Sequence, residues 1–248
     1  MLSCYFYSRG GGPYQAFNLP MKVLGQNCRG ICNAMTVKSF KAQIKGNSSD
    51  VIFLCETKAS TTRMKEVLKS INFADMCVVE AKGTAGGICI MWKSGFSIHQ
   101  VDYNINLVAL KLSDTVCDWL LVGFYGPLYP SKKQKAWENL MVLLNSCHYP
   151  WVCIGGFNFT INDSEMLRAK RDGNSATTNY LKELIFEFEA IDLGFFGNTF
   201  TWARGRWGSV TIKKRLDKRI ASISWCLAFP KATVTHLGVI NLIIPLSF

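Results

Sequence analysis

No apolar run in this chain approaches the length of a membrane span, so a helical crossing has no candidate segment. The order of a secretory leader is missing as well, because Arg9 and the cluster Gly10-Gly11-Gly12-Pro13 follow an aromatic start. There is no paired C-x-x-C knuckle. Cys28 and Cys32 lie four apart and Cys147 and Cys153 six apart, which does not write a zinc framework. Several of the 10 cysteines, among them Cys55, Cys89 and Cys153, sit inside apolar runs, where a thiol behaves as a small hydrophobe. They are expected as reduced core thiols of an intracellular protein, nuclear or cytoplasmic and not secreted. No repeat, linker or low-complexity block divides the chain. Acidic residues are scarce: 17 Asp plus Glu face 28 Lys plus Arg, a net charge of +11. That balance favours polyanionic partners through counterion release, without separating DNA from RNA or an anionic membrane.

What is present fits one α/β domain. The chain has 248 residues, 49% hydrophobic and 18% charged, enough for a substantial core and too apolar for wholesale disorder. Residues 1–20 show no period, hold the Gly/Pro cluster and end at Pro20, so they read as an appendage, poorly ordered, before a domain over 21–248. Four short apolar runs each deliver polar residues at their C-terminal ends. Met21–Gly25 leads to Gln26-Asn27, Val51–Cys55 to Glu56-Thr57-Lys58, Leu120–Phe124 to Tyr125-Gly126-Pro127, and Trp151–Ile154 to Gly155-Gly156-Phe157-Asn158. Runs of this kind, bounded by Gly and Pro, are strand-like, and buried strands hold their ends rigidly. Four such ends on one sheet edge would form a chemical site.

Helical stripes fall near Ala34–Lys45 (Val37, Phe40, Ile44), Thr62–Ile71 (Met64, Val67, Leu68, Ile71), Lys132–Asn145 (Trp137, Leu140, Met141, Leu144) and Thr177–Glu189 (Tyr180, Leu181, Leu184, Ile185, Phe188). Between Met76 and Phe124, breaks at Gly83, Ser94-Gly95, Asn104 and Ser113-Asp114 mark an antiparallel meander. Short β segments are expected at Thr199–Ala203, Val210–Ile212 and Ala232–Leu237. Strand–helix–strand at both ends of a meander predicts a two-sheet sandwich with outer helices.

The strand-end motifs also resemble the endonuclease/exonuclease/phosphatase family. Gln26-Asn27-Cys28-Arg29-Gly30, Cys55-Glu56-Thr57-Lys58, Phe124-Tyr125-Gly126-Pro127 and Ile154-Gly155-Gly156-Phe157-Asn158 fall in that family's order, with most likeness to the endonuclease domain of plant non-LTR (LINE-type) retrotransposons. The resemblance runs from Met21 to the C-terminus. It implies a four-layer α/β sandwich of the deoxyribonuclease-I type, two mixed sheets with outer helices, nicking DNA with Mg. It assigns Glu56 and Asn27 to the metal, and Tyr125, Asn158 and Asp217 to the reacting phosphate and its neighbours. Phe200-Thr201-Trp202 and Lys214-Arg215-Leu216-Asp217-Lys218 resemble two further family elements. With Arg29 they make Thr201, Trp202, Lys214, Arg215 and Lys218 candidates for a nucleic-acid surface, flanked by Trp207 and Trp225.

Two departures stand against catalysis. Where the family carries the Asp of Gly-Asp-Phe-Asn, this chain has Gly156. Where the family ends in Ser-Asp-His-x-Pro, anchoring on Pro245 gives Leu242 and Ile243 for the Asp-His pair. The chain's 3 histidines, His99, His148 and His236, fall elsewhere in the sequence. The expectation is therefore a degenerate endonuclease domain whose Mg binding is weakened or lost. A still active nuclease and a non-catalytic nucleic-acid-binding module are the alternatives. The chain stops three residues after Pro245, so the last strand is expected short or missing.

Overall fold

The computed structural model describes residues 2–6, 21–83, 85–167, 178–204 and 212–237. Leu2–Phe6 forms β1 and Met21–Asn27 forms β2. Asn33 caps α1 (Ala34–Asn47) by accepting the Met35 N–H, and Ser48 closes it in the left-handed region. β3 (Val51–Cys55) is buried at every residue. Ser60 caps α2 (Thr61–Ile71) through the Arg63 N–H. The β-rich stretch holds β4 (Asp75–Val79), β5 (Ile88–Trp92), β6 (Ser97–Asn104), β7 (Leu107–Ser113) and β8 (Asp118–Tyr125). α3 (Pro130–Asn145) starts on a proline, whose fixed φ suits a first helical turn, and β9 (Trp151–Gly156) is again wholly buried. A 3₁₀ turn at Asp163–Glu165 precedes β10 (Met166–Leu167) and α4 (Tyr180–Glu187). Then come β11 (Ile191–Asp192), β12 (Phe196–Gly197), β13 (Trp202–Arg204), β14 (Ile212–Lys214), β15 (Asp217–Ala221), α5 (Ile223–Ala228) and β16 (Thr233–His236).

Alternation within the buried runs decides the layers, because successive strand side chains point to opposite faces. Val51, Phe53 and Cys55 of β3 join Val108, Leu110, Leu121, Val152 and Ile154 in a core between two sheets. Ile52 and Leu54 of the same strand instead meet Phe40 and Ile44 of α1 and Met64 and Val67 of α2. On the second sheet, Leu120, Val122, Phe124 and Cys153 pack outward on Trp137 and Leu140 of α3 and Leu181 and Leu184 of α4. The order is thus helices, sheet, sheet, helices: a four-layer α/β sandwich of the deoxyribonuclease-I type. The sheets run β12-β16-β1-β2-β3-β5-β4 and β11-β15-β9-β8-β7-β6, beside a small third sheet β10-β14-β13. Both large sheets are mixed. β2 and β3 are parallel, as are β8 and β9, while β5, β7 and β15 pair antiparallel with their neighbours.

Glycine lets the two sheets close at one end. The Phe53 ring lies over Gly123 and Gly155, and a Cβ at Gly123 would come within 2.4 Å of that ring. At Gly155, φ is +140° and a Cβ would sit 2.0 Å from the Phe124 carbonyl oxygen, so only glycine serves.

Several expectations need correcting. Leu2–Phe6 is no appendage: it is hydrogen-bonded between β2 and β16, antiparallel to both. The rest of the segment expected to be poorly ordered, 7–20, lies outside the described residues, as does Val210 of an expected strand. The fourth helix is shorter than its stripe implied, since Phe188 ends it, and Thr177 is not described. α5 was not foreseen. At six residues it is too short to repeat an apolar stripe, and its Ser222 cap on Trp225 N–H carries the signal.

Candidate active site

The four strand ends converge. Parallel pairing sets Asn27 level with Cys55, immediately before Glu56, and Tyr125 level with Gly156, two residues before Asn158. The face-to-face sheets then bring both pairs to one cleft of about 340 Å³, lined by Asn27, Arg29, Glu56, Tyr125, Leu128, Asn158 and the 202–204 segment of β13.

Its polar groups are largely bonded to one another. Glu56 Oε1 accepts from Asn27 Nδ2 at 3.1 Å and from the Tyr125 hydroxyl. Asn27 Oδ1 accepts the Arg29 N–H at 3.1 Å, and Asn158 Nδ2 donates to the Gly126 carbonyl at 2.6 Å. Burial, then the Glu56 hydrogen bond and charge, push the Tyr125 phenol well above its ordinary pKa, while an Asn158 hydrogen bond opposes the rise. Tyr125 is therefore a fixed donor across the physiological range. Arg29, Glu56 and Asn158 have φ of +46°, +52° and +56°. Such left-handed backbone in non-glycine residues costs on the order of 1–3 kcal/mol each and clusters at functional sites.

Gly156 ends β9, buried beside Tyr125. A Cβ there would meet Asp217 Oδ1 at 3.2 Å and the Tyr125 ring at 3.2 and 3.3 Å. Asp217 lies directly opposite Gly156 across the β9–β15 ladder, and Thr201 Oγ1 accepts its N–H at 3.0 Å. Burial raises the Asp217 carboxyl pKa, with Thr201, Arg219 and Arg29 pulling it back. Asp217 and Thr201 do not line the cleft.

Of the expected site residues, Asn27, Arg29, Glu56, Tyr125, Asn158 and Trp202 come together at the cleft. Arg215 and Lys218 do not. They are 5% and 1% exposed. Arg215 pairs with Glu165 at 2.8 Å and bidentately with Asp192 at 2.7 and 2.8 Å, and Lys218 pairs with Glu165 at 2.6 Å. These are core ion pairs, since a buried cation must be matched by a carboxylate, and they correct the expectation that Arg215 and Lys218 face nucleic acid. Arg219 and Trp225, 1% and 0% exposed, are interior too. Lys214 remains half-buried beside the cleft, and Trp207 lies outside the described residues.

His236 is also structural. It is 5% exposed, stacked on Phe195 at 4.3 Å, with Nδ1 2.6 Å from the Asn198 carbonyl, and burial pushes its pKa down to about 4. Leu242, Ile243 and Pro245 lie outside the described residues. Sequence reasoning missed Leu128, Arg204 and the buried hub Glu165. Leu128 and Arg204 sit within three residues of expected motifs, which was the available signal; Glu165 offered none.

The donor set for a divalent cation is thin. Among the described residues no three His, Cys, Asp or Glu side chains gather, and Glu56 is the one carboxylate lining the cleft. A single carboxylate with water and phosphate oxygens is at the lower end of what magnesium uses, and this site fits it on those terms.

A model of the Endonuclease/Exonuclease/phosphatase family matches residues 23–234. Among solved structures, the endonuclease domain of TRAS1, a telomere-specific non-LTR retrotransposon, is similar at 15% identity and TM-score 0.59, covering 82% of this chain and 86% of that one. A 3′ phosphatase, NExo from Neisseria, bound to a product DNA hairpin, is similar at 15% identity and TM-score 0.59, covering 82% and 87%. The AP endonuclease LMAP from Leishmania major follows at 14% identity and TM-score 0.59, covering 82% and 79%. No curated protein sequence matches the chain.

Proposed function

Because this chain belongs to the endonuclease/exonuclease/phosphatase family, we propose that its cleft receives a phosphodiester of DNA, as in a retrotransposon-type endonuclease domain, and that hydrolysis there is crippled. The observation that carries this reading is the glycine that ends β9 against the Tyr125 ring, between the cleft and Asp217. Phosphodiester hydrolysis needs a positioned, activated water, charge neutralisation on the phosphoryl oxygens and a stabilised leaving group. At Gly156 there is no side chain to take a proton or hold water. Tyr125 is a donor and no base. Asp217, directly opposite Gly156 across the β9–β15 ladder, does not line the cleft, and burial raises its carboxyl pKa.

What remains suits binding. Asn158 offers an amide with both donors and an acceptor, Arg29 and Arg204 bring cations, and Trp202 offers a face for a base. Glu56, with Asn27 beside it, is where a magnesium ion would be held, and such an ion would supply charge neutralisation and a more acidic water. At Leu242 and Ile243 the chain also lacks the polar pair that the family resemblance assigns to the scissile phosphate.

A second reading, a non-catalytic nucleic-acid-binding module, is favoured by the same cations and aromatics. Magnesium-dependent nicking of supercoiled DNA separates the readings from activity. The unmodified chain should nick no faster than Glu56→Gln. A rate that depends on both magnesium and Glu56 would mean an active nuclease and would refute the crippled site.

A further inference from the structure

Asn158 leaves the cleft directly into Phe159, and that ring carries a cation: Lys133 Nζ stands 4.1 Å from its centroid. Phe159 is held by Trp137 at 5.6 Å and Tyr180 at 6.0 Å, so the platform is rigid. On the neighbouring wall, the small sheet sets Lys214 directly opposite Trp202. Directly opposed residues on antiparallel strands share a face, and Trp202 lines the cleft, so Lys214 stands on the cleft side of that sheet.

The two lysines are near enough for their charges to act on each other. Burial first, and then the Lys214 charge, push the Lys133 ammonium below its ordinary pKa. Among the described residues neither lysine is in an ion pair. Elsewhere the fold supplies carboxylates to its buried cations, as Arg215 and Lys218 show at 2.6–2.8 Å. Here it withholds them. Two half-buried ammoniums that repel each other create demand for an anion between them. Lys132, over the exposed ring of Tyr129 at 5.8 Å, is by contrast an ordinary surface lysine.

We propose that Lys133 and Lys214 form a second phosphate position, taking a backbone phosphate of the nucleic-acid strand whose phosphodiester sits at Tyr125 and Asn158, with Phe159 and Trp202 flanking it. This inference rests on the cleft being a phosphodiester site. It adds a register: the strand runs from the cleft along the face of β13 and β14 toward the start of α3.

Fluorescence anisotropy on the full chain tests it, in EDTA so that no strand is cut, with a DNA hairpin at several salt concentrations and a dinucleoside monophosphate carrying one phosphodiester. The double variant Lys133→Ala/Lys214→Ala should weaken hairpin binding about tenfold and lower the log–log salt slope by about 1, with the dinucleotide unaffected. Lys65→Ala/Lys69→Ala, on exposed positions of α2, removes the same charge and should change the hairpin far less. Lys133→Gln/Lys214→Gln must reproduce the alanine result, which removes lost packing as its cause. Equal losses in the two lysine doubles would overturn the proposal, because only net charge would then matter. If Asn158→Ala weakens the dinucleotide while the Lys133/Lys214 doubles change nothing, the second position falls and the cleft stands. If Asn158→Ala changes neither ligand, the cleft reading fails and takes the second position with it.

Discussion

Gly156→Asp restores the acidic residue the family resemblance calls for, and the structure predicts that it will destabilise this chain in a pH-dependent way. The new Cβ would sit 3.2 Å from Asp217 Oδ1 and from the Tyr125 ring, so those neighbours must yield by a few tenths of an ångström. The larger effect is charge. Two carboxylates about 5 Å apart at an effective dielectric of about 20 repel by roughly 3 kcal/mol, equivalent to about two pKa units. The pair therefore holds a proton in the folded state that the unfolded chain has released near its ordinary Asp pKa of about 3.9. The folded state binds more protons, so stability is full below about pH 4 and is lost as pH rises through the raised folded value. Asp217 alone, raised by burial, already gives the unmodified chain the same direction of slope. Thermal melts from pH 4 to pH 8 should show the variant falling away from Gly156→Asn, which has the same shape without the charge. At pH 7 the gap should reach about 2–3 kcal/mol, or roughly 4–12 °C for a chain of this size. Superimposable pH profiles for Asp and Asn would refute the reasoning, because crowding alone would then explain the variant.

Two further outcomes follow from the same geometry. Glu165→Ala should cost about 3–5 kcal/mol in urea unfolding, because Arg215 and Lys218 would be left as buried cations short of a carboxylate; a loss under about 1 kcal/mol would mean the cluster rearranges freely. Tyr125→Phe should not alter the number of phenols that ionise near pH 10 in an absorbance titration of the folded chain, since Tyr125 is held protonated beyond that range. One titrating phenol fewer would contradict its burial against Glu56.

The fold was legible where one element declares its own burial. β3 and β9 are apolar throughout, and α1 to α3 carry full stripes, so their faces and ends could be read without knowing their partners. The cleft was legible for the same reason: a strand end is fixed by its strand, and Asn27, Glu56, Tyr125 and Asn158 each follow one. The basic run 213–219 was not. Its Lys and Arg residues look like a solvated face until Glu165 and Asp192, 50 and 23 positions away from Arg215, are brought beside them. Such pairings are tertiary and leave no local pattern. The two-residue strands β10, β11 and β12 likewise exist only because a neighbour supplies the ladder. Lys133 lay within a recognised helix, but its position over Phe159 depends on how α3 packs against the segment after β9.

The central claim is that this cleft lost hydrolysis through missing side chains at Gly156, Leu242 and Ile243. Nicking of supercoiled DNA by the triple variant Gly156→Asp/Leu242→Asp/Ile243→His, measured beside the unmodified chain and the two partial repairs, tests it most directly. Groups that act as a unit are grossly non-additive, with losses of ~10⁴–10⁶ in rate when any essential one is absent. Gly156→Asp alone and Leu242→Asp/Ile243→His alone should therefore stay at background, and only the triple variant, once melting shows it folded, should rise clearly above it. If the unmodified chain nicks as fast as the folded triple variant, hydrolysis does not depend on these positions and the crippled-site account is wrong.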